Sequence, residues 1–205
     1  MKKIIGKIEI SNTRKTPQIK IVSAMVLLCF CVTVTAYSAD ESVIWDALKS
    51  DGHVALLRHA LAPGTGDPPE FQLGQCTTQR NLSDEGRDQA RTIGGLFRKN
   101  GIHEARIFSS QWCRCKETAK LLELGPVEEL PVLNSFFRHY GRRDSQTRML
   151  LDWLMGQDLE GPILLVTHQV NITALTGIYP DSGELVIVHR SHTGDITVIG
   201  TIETR

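Results

Sequence analysis

Two kinds of apolar pattern take turns along this 205-residue chain. Val54 to Leu57 and Ile163 to Val166 are short continuous apolar runs, the signature of strands covered on both faces, and "ARIFSS" (Ala105 to Ser110) predicts another strand between them. Between the runs, apolar residues recur three and four apart, as on one face of a helix. Val43, Ile44, Ala47 and Leu48 do so within Asp40 to Ser50, and Ala90, Ile93, Leu96 and Phe97 within "NLSDEGRDQARTIGGLFRKNG". In the latter, Ser83 suits the N-cap, Asp84 and Glu85 the first turn, and Gly101 the stop.

"QWCRCKETAKLLEL" predicts a helix behind the second strand, Val127 to Leu133 a third strand, and Gln146 to Met155 a further helix. Val170 to Thr176 can start a short helix, and "GELVIVHR" and "DITVIGTIE" predict two closing strands. Strands alternating with helices predict a three-layer α/β/α sandwich with a mainly parallel central sheet over residues 40–205, without internal repeats. Leu61 to Leu82 interrupts the alternation as a long polar loop rich in glycine and proline, a length more often functional than connecting.

The first 39 residues follow a different pattern. Lys2, Lys3, Lys7, Arg14, Lys15 and Lys20 precede an apolar run from Ile21 to Val34 that ends in small residues, the layout of a signal peptide cleaved after Ala36 or Ala39. The alternative, an uncleaved anchor, would tether the protein to the membrane. Either way the chain is exported, to the periplasm or beyond the cell. Cys29 and Cys31 fall within the leader, and in an oxidising compartment the remaining three cysteines allow one disulfide, from Cys76 to either Cys113 or Cys115. Lys+Arg and Asp+Glu both number 23, and this balance argues against a nucleic-acid partner. Anion binding therefore falls to a few arginines in a pocket.

Candidates for that pocket stand where the buried runs end. Arg58 and His59 follow the first strand, His168 follows "ILLVT", and Arg114 lies in the first turn of the helix after the second strand. The carboxyl edge of a parallel sheet is where such folds bind ligands, and a helix N-terminus adds partial positive charge. Two arginines to clamp phosphoryl oxygens and a neutral imidazole to attack phosphorus are the parts phosphoryl transfer needs. Arg80 and the basic stretch Arg142, Arg143 and Arg148 are candidate rim residues. Phe136, Phe137 and Trp153 suit the core, the aromatic pair also suiting a pocket wall, and His189 and His192 suit a solvated turn better than a metal site.

"LLRHA" (Leu56 to Ala60), "LSDEGRDQA" (Leu82 to Ala90), "SSQWCRCKETA" (Ser109 to Ala119) and "LLVTHQ" (Leu164 to Gln169), in this order, resemble the histidine phosphatase superfamily, the phosphoglycerate-mutase-like group. The resemblance implies that His59 is the nucleophile forming a phosphohistidine, that Arg58 and Arg114 bind phosphate, and that His168 donates to the same oxygens. It implies no metal or cofactor, and as partner a small phosphorylated substrate or a phosphorylated envelope component, with membrane contact only if the leader is retained. Ala60 replaces the family's glycine, a change that matters only if the backbone there needs positive φ. The glutamate that many members use as general acid is missing: "LNSFFRHYG" offers Asn134, Ser135 and Phe136, and Gln169 rather than aspartate follows His168. Asp67 and Glu184 are the candidate replacements, Asp67 being preferred for its place near the nucleophile. A phosphohistidine, acyl phosphate or sugar 1-phosphate substrate would relax the need for an acid. The reading from a different class is a non-catalytic phosphate-binding module with a degenerate site.

Overall fold

The computed structural model describes residues 40–204, so the leader lies outside the described residues. No helix among the described residues is long and apolar enough to cross a membrane. Six strands form one sheet: β1 (His53–Arg58), β2 (Arg106–Ser109), β3 (Val127–Glu129), β4 (Ile163–Thr167), β5 (Leu185–Arg190) and β6 (Ile196–Ile202). Their order is β3-β2-β4-β1-β5-β6. β3, β2, β4 and β1 run parallel, while β5 and β6 close the other edge antiparallel. The mainly parallel sheet is as expected.

Successive residues of each strand face opposite layers. Ala55, Leu57, Leu164 and Val166 pack against α1 (Glu41–Leu48), α2 (Asp84–Lys99) and α3 (Cys113–Leu121). Val54, Leu56 and Leu165 pack against α4 (Arg143–Met155) and α5 (Gln169–Thr176). Helices thus cover both faces, and this is why β1 and β4 carry no polar residue until their ends. The cap of α2 is the expected one, with Ser83 Oγ accepting from Gly86 N–H at 3.1 Å.

Several boundaries differ from the sequence reading by two to four residues, two of them for plain local reasons. β3 stops at Glu129, because Pro131 has no N–H to extend the ladder and instead opens a 3₁₀ turn, Pro131–Leu133. α4 begins at Arg143, three residues before Gln146, because a 3₁₀ turn over Tyr140–Arg142 leads directly into it. The long loop carries its own short turn, Cys76–Thr78.

Candidate active site

Sheet register brings the polar strand ends together. Arg58 pairs with Thr167 across β1 and β4, His59 N–H donates to Thr167 O at 3.0 Å, and Ser110 N–H donates to Val166 O at 2.9 Å. The His59 and His168 rings therefore lie 5.5 Å apart, centre to centre. Both are almost fully buried, as is Arg114, which α3 projects across them. Gln79 fixes that helix start by accepting from Cys113 N–H at 3.0 Å.

The partners define the proton on each ring. His59 Nδ1 lies 2.9 Å from the carbonyl of Ala60, which can only accept, so Nδ1 carries the hydrogen. Nε2 is then a bare lone pair, and Arg114 Nε–H donates to it at 3.2 Å. Arg114 Nη2 approaches His168 Nδ1 at 3.4 Å, which leaves His168 Nε2–H to donate to Ser110 Oγ at 2.9 Å. Ser110 Oγ–H in turn donates to Asn134 Oδ1 at 3.2 Å. Burial first, and then the charge of Arg114, hold both imidazoles well below the ordinary histidine value. Each is neutral, and His59 presents a nucleophilic nitrogen. Ala60 has no positive φ, and its N–H donates to Thr118 Oγ1 at 3.0 Å. The exchange of glycine for alanine is accommodated.

The long loop folds over this centre. Asp67 Oδ1 is 2.5 Å from Arg114 Nη1, and Oδ2 accepts from Arg114 Nη2 at 3.3 Å and from Trp112 Nε1–H at 3.0 Å. Burial pushes the Asp67 carboxyl up, but the hydrogen bonds and charge of Arg114, with Trp112, outweigh it and hold the group below its ordinary value. Phe71 stacks on Trp112, and Arg80 and Arg138 donate to the loop carbonyls of Ala62, Gly66, Asp67 and Pro68. Burial, then the nearby Arg114, lowers Arg80 to about 10. The disulfide joins Cys76 to Cys113, tying the loop to the start of α3. Cys115 is the unpaired cysteine among the described residues, its buried thiol pushed up to about 12.

A cavity of about 620 Å³ opens above the two histidines. It is lined by five arginines, Arg58, Arg80, Arg114, Arg138 and Arg142, against one carboxylate, Asp67. Arg58, Arg80 and Arg142 all reach the cavity lining, and Phe137 forms part of the wall while Phe136 is core. Glu184 does not line the cavity. Its carboxylate instead accepts from Asp181 N–H at 2.7 Å in the turn before β5, and burial raises it. Arg143 lies beside Asp144 at 3.8 Å, and Arg143 and Arg148 are exposed and outside the cavity. His189 packs on His53, ring centres 4.8 Å apart, and no group of three potential metal ligands occurs among the described residues.

Sequence reasoning missed Ser110, Trp112 and Arg138. The first two sit in the same motif as Arg114, where their nearness to it was the available signal. Arg138 had none, since its role depends on a loop seventy residues away in sequence folding against it.

The profile of the histidine phosphatase superfamily (branch 1) matches residues 54–147, a span that holds Arg58, His59 and Arg114. Among solved structures, the chain is similar to the protein histidine phosphatase SixA complexed with tungstate. There the TM-score is 0.55 at 16% identity, covering 74% of this chain and 97% of that one. It is also similar to a mycobacterial glucosyl-3-phosphoglycerate phosphatase complexed with VO3, at TM-score 0.53 and 18% identity, covering 71% of this chain and 96% of that one. No curated protein matches in sequence. Over residues 54–147 the chain is thus similar in sequence to the histidine phosphatase superfamily, and its fold is similar to that of the two phosphatase structures.

Proposed function

We propose that this protein is an exported, metal-independent phosphatase that hydrolyses a phosphorylated small molecule or envelope component through a phosphohistidine on His59. One observation carries the reading: His59 is fixed by the Ala60 carbonyl in the tautomer that leaves Nε2 unprotonated, inside a cavity lined by five arginines. A pocket that only bound phosphate would need the positive charge but no such nitrogen.

In the first step Nε2 attacks phosphorus as the bond to the leaving group breaks, and Arg58, Arg114 and His168 take the charge on the phosphoryl oxygens. In the second, water attacks phosphorus, the N–P bond breaks, and phosphate leaves. Guanidinium groups supply the positive charge that a metal ion supplies elsewhere. The relatives named for protein histidine and glucosyl-3-phosphoglycerate phosphatase activity are consistent with phosphoryl substrates as a class. Export is supported by the leader pattern and agrees with the Cys76–Cys113 disulfide.

The test is rapid quench of the purified protein with labelled 4-nitrophenyl phosphate. An acid-labile, base-stable phosphoenzyme is expected in the wild type and absent in His59→Ala, whose turnover falls at least about 10³-fold. Turnover is expected to survive a chelator. Phosphate binding without hydrolysis would establish the binding module instead.

A further inference from the structure

The guanidinium that must receive the phosphoryl group is already held by a carboxylate of the same chain. Arg114 reaches His59 through Nε and Asp67 through Nη1 and Nη2, so nucleophile and carboxylate stand on opposite sides of one side chain. The pair is dry, the two side chains being 3% and 8% exposed. Asp67 is also the one carboxylate among the described residues that lines the cavity. Asn134, which also lines the cavity, is an amide engaged with Ser110 and Gln111.

We propose that Asp67 is the proton donor to the leaving group, and that it acquires its proton only when a phosphoryl dianion displaces it from Arg114. This deepens the phosphatase reading and rests on it. Phosphoryl oxygens and the Asp67 carboxylate want the same two-pronged donor, and both cannot keep it. Displacement leaves a buried carboxylate beside a doubly charged anion, and such a group neutralises itself by binding a proton. The charged groups facing it are Arg114 and Arg80 from the site side and Arg138 at its own backbone carbonyl, with His59 and His168 beyond Arg114. Arg138 and Trp112 keep the carboxyl in the cavity when Arg114 lets go.

The step balances. As Nε2 bonds to phosphorus and the P–O bond breaks, the departing oxygen takes the Asp67 proton and leaves as an alcohol. Water then attacks the phosphohistidine, Asp67 accepts the water's proton, and the N–P bond breaks to release hydrogen phosphate. With phosphate gone, Asp67 returns its proton to solvent and re-pairs with Arg114. The acid exists only while substrate is bound, and the free enzyme holds the pair in its unreactive state.

The experiment compares phosphoenzyme formation in the wild type, Asp67→Asn and Asp67→Glu across aryl phosphates of graded leaving-group acidity and one alkyl phosphate. In Asp67→Asn the rate with the alkyl phosphate is expected to fall at least about 100-fold, and with 4-nitrophenyl phosphate less than about 10-fold. Asp67→Glu is expected to recover part of the alkyl rate. Titration calorimetry with vanadate in buffers of different ionisation enthalpy is expected to show proton uptake in the wild type that Asp67→Asn lacks. Equal losses on every leaving group, or no difference in proton uptake, would reduce Asp67 to a loop tether and overturn the proposal. Failure of the wild type to form a phosphoenzyme with 4-nitrophenyl phosphate would instead overturn the phosphatase reading itself.

Discussion

Arg114 shows how much one side chain is asked to do: its three nitrogens reach His59, His168 and Asp67 at once. A lysine keeps the charge but offers one compact ammonium in place of a rigid fork. Arg114→Lys is therefore expected to lower kcat/KM at least about 100-fold, with the circular dichroism spectrum unchanged. The histidines give a pH signature. Because the fold lowers both their pKa values, the unfolded chain binds protons that the folded one refuses. Their contribution to stability is complete above the unfolded value near 6.5 and is lost as pH falls from there through the folded values. Denaturant titrations should show unfolding free energy dropping below about pH 6.5, with a shallower drop in His59→Gln. The catalytic acid limb should likewise lie below 6.5, because His59 stays neutral until then.

At the level of elements, the loop between β1 and α2 is where fold and site meet. It is tied by the Cys76–Cys113 bridge, which spans 37 residues. Closing a loop of that length constrains the unfolded chain by about 4 kcal/mol, so Cys76→Ser/Cys113→Ser should lose up to about that much in chemical denaturation. Its KM should also rise, since the bridge joins the loop to the turn that presents Arg114. Gly86 serves the same junction, because a Cβ there would meet the backbone carbonyl of Leu61. Gly86→Ala should therefore destabilise by roughly 1–3 kcal/mol through overpacking, against the gain of about 1 kcal/mol that alanine brings to an exposed helix. The elements themselves were legible because their burial is periodic: α2 announced its cap and its stripe, and β1 and β4 their two-sided burial. β3 and α4 were misjudged only at their ends, where Pro131 and a 3₁₀ turn act through local backbone geometry that hydrophobic spacing does not encode.

Over the whole molecule, 23 basic and 23 acidic residues cancel, yet the cavity collects five arginines and one carboxylate. A neutral protein thus carries a local field that draws anions, one that salt will screen. With a dianionic substrate kcat/KM should fall as ionic strength rises. Arg142→Ala, which removes an exposed rim charge, should raise KM several-fold, roughly the effect of one screened charge, with kcat nearly unchanged in steady-state assays.

The sequence by itself determined the layered fold, the position of Arg58, His59 and His168 at the polar ends of buried strands and that of Arg114 at a helix start, because burial on two faces leaves its mark in consecutive residues. Tertiary structure alone decided that Cys113 rather than Cys115 pairs with Cys76, that Glu184 stays out of the cavity lining, and that Asp67 grips Arg114. Each of those outcomes depends on where a long loop or a turn settles against α3 and the sheet. Such placement is fixed by contacts between residues far apart in the chain, and no local pattern records it.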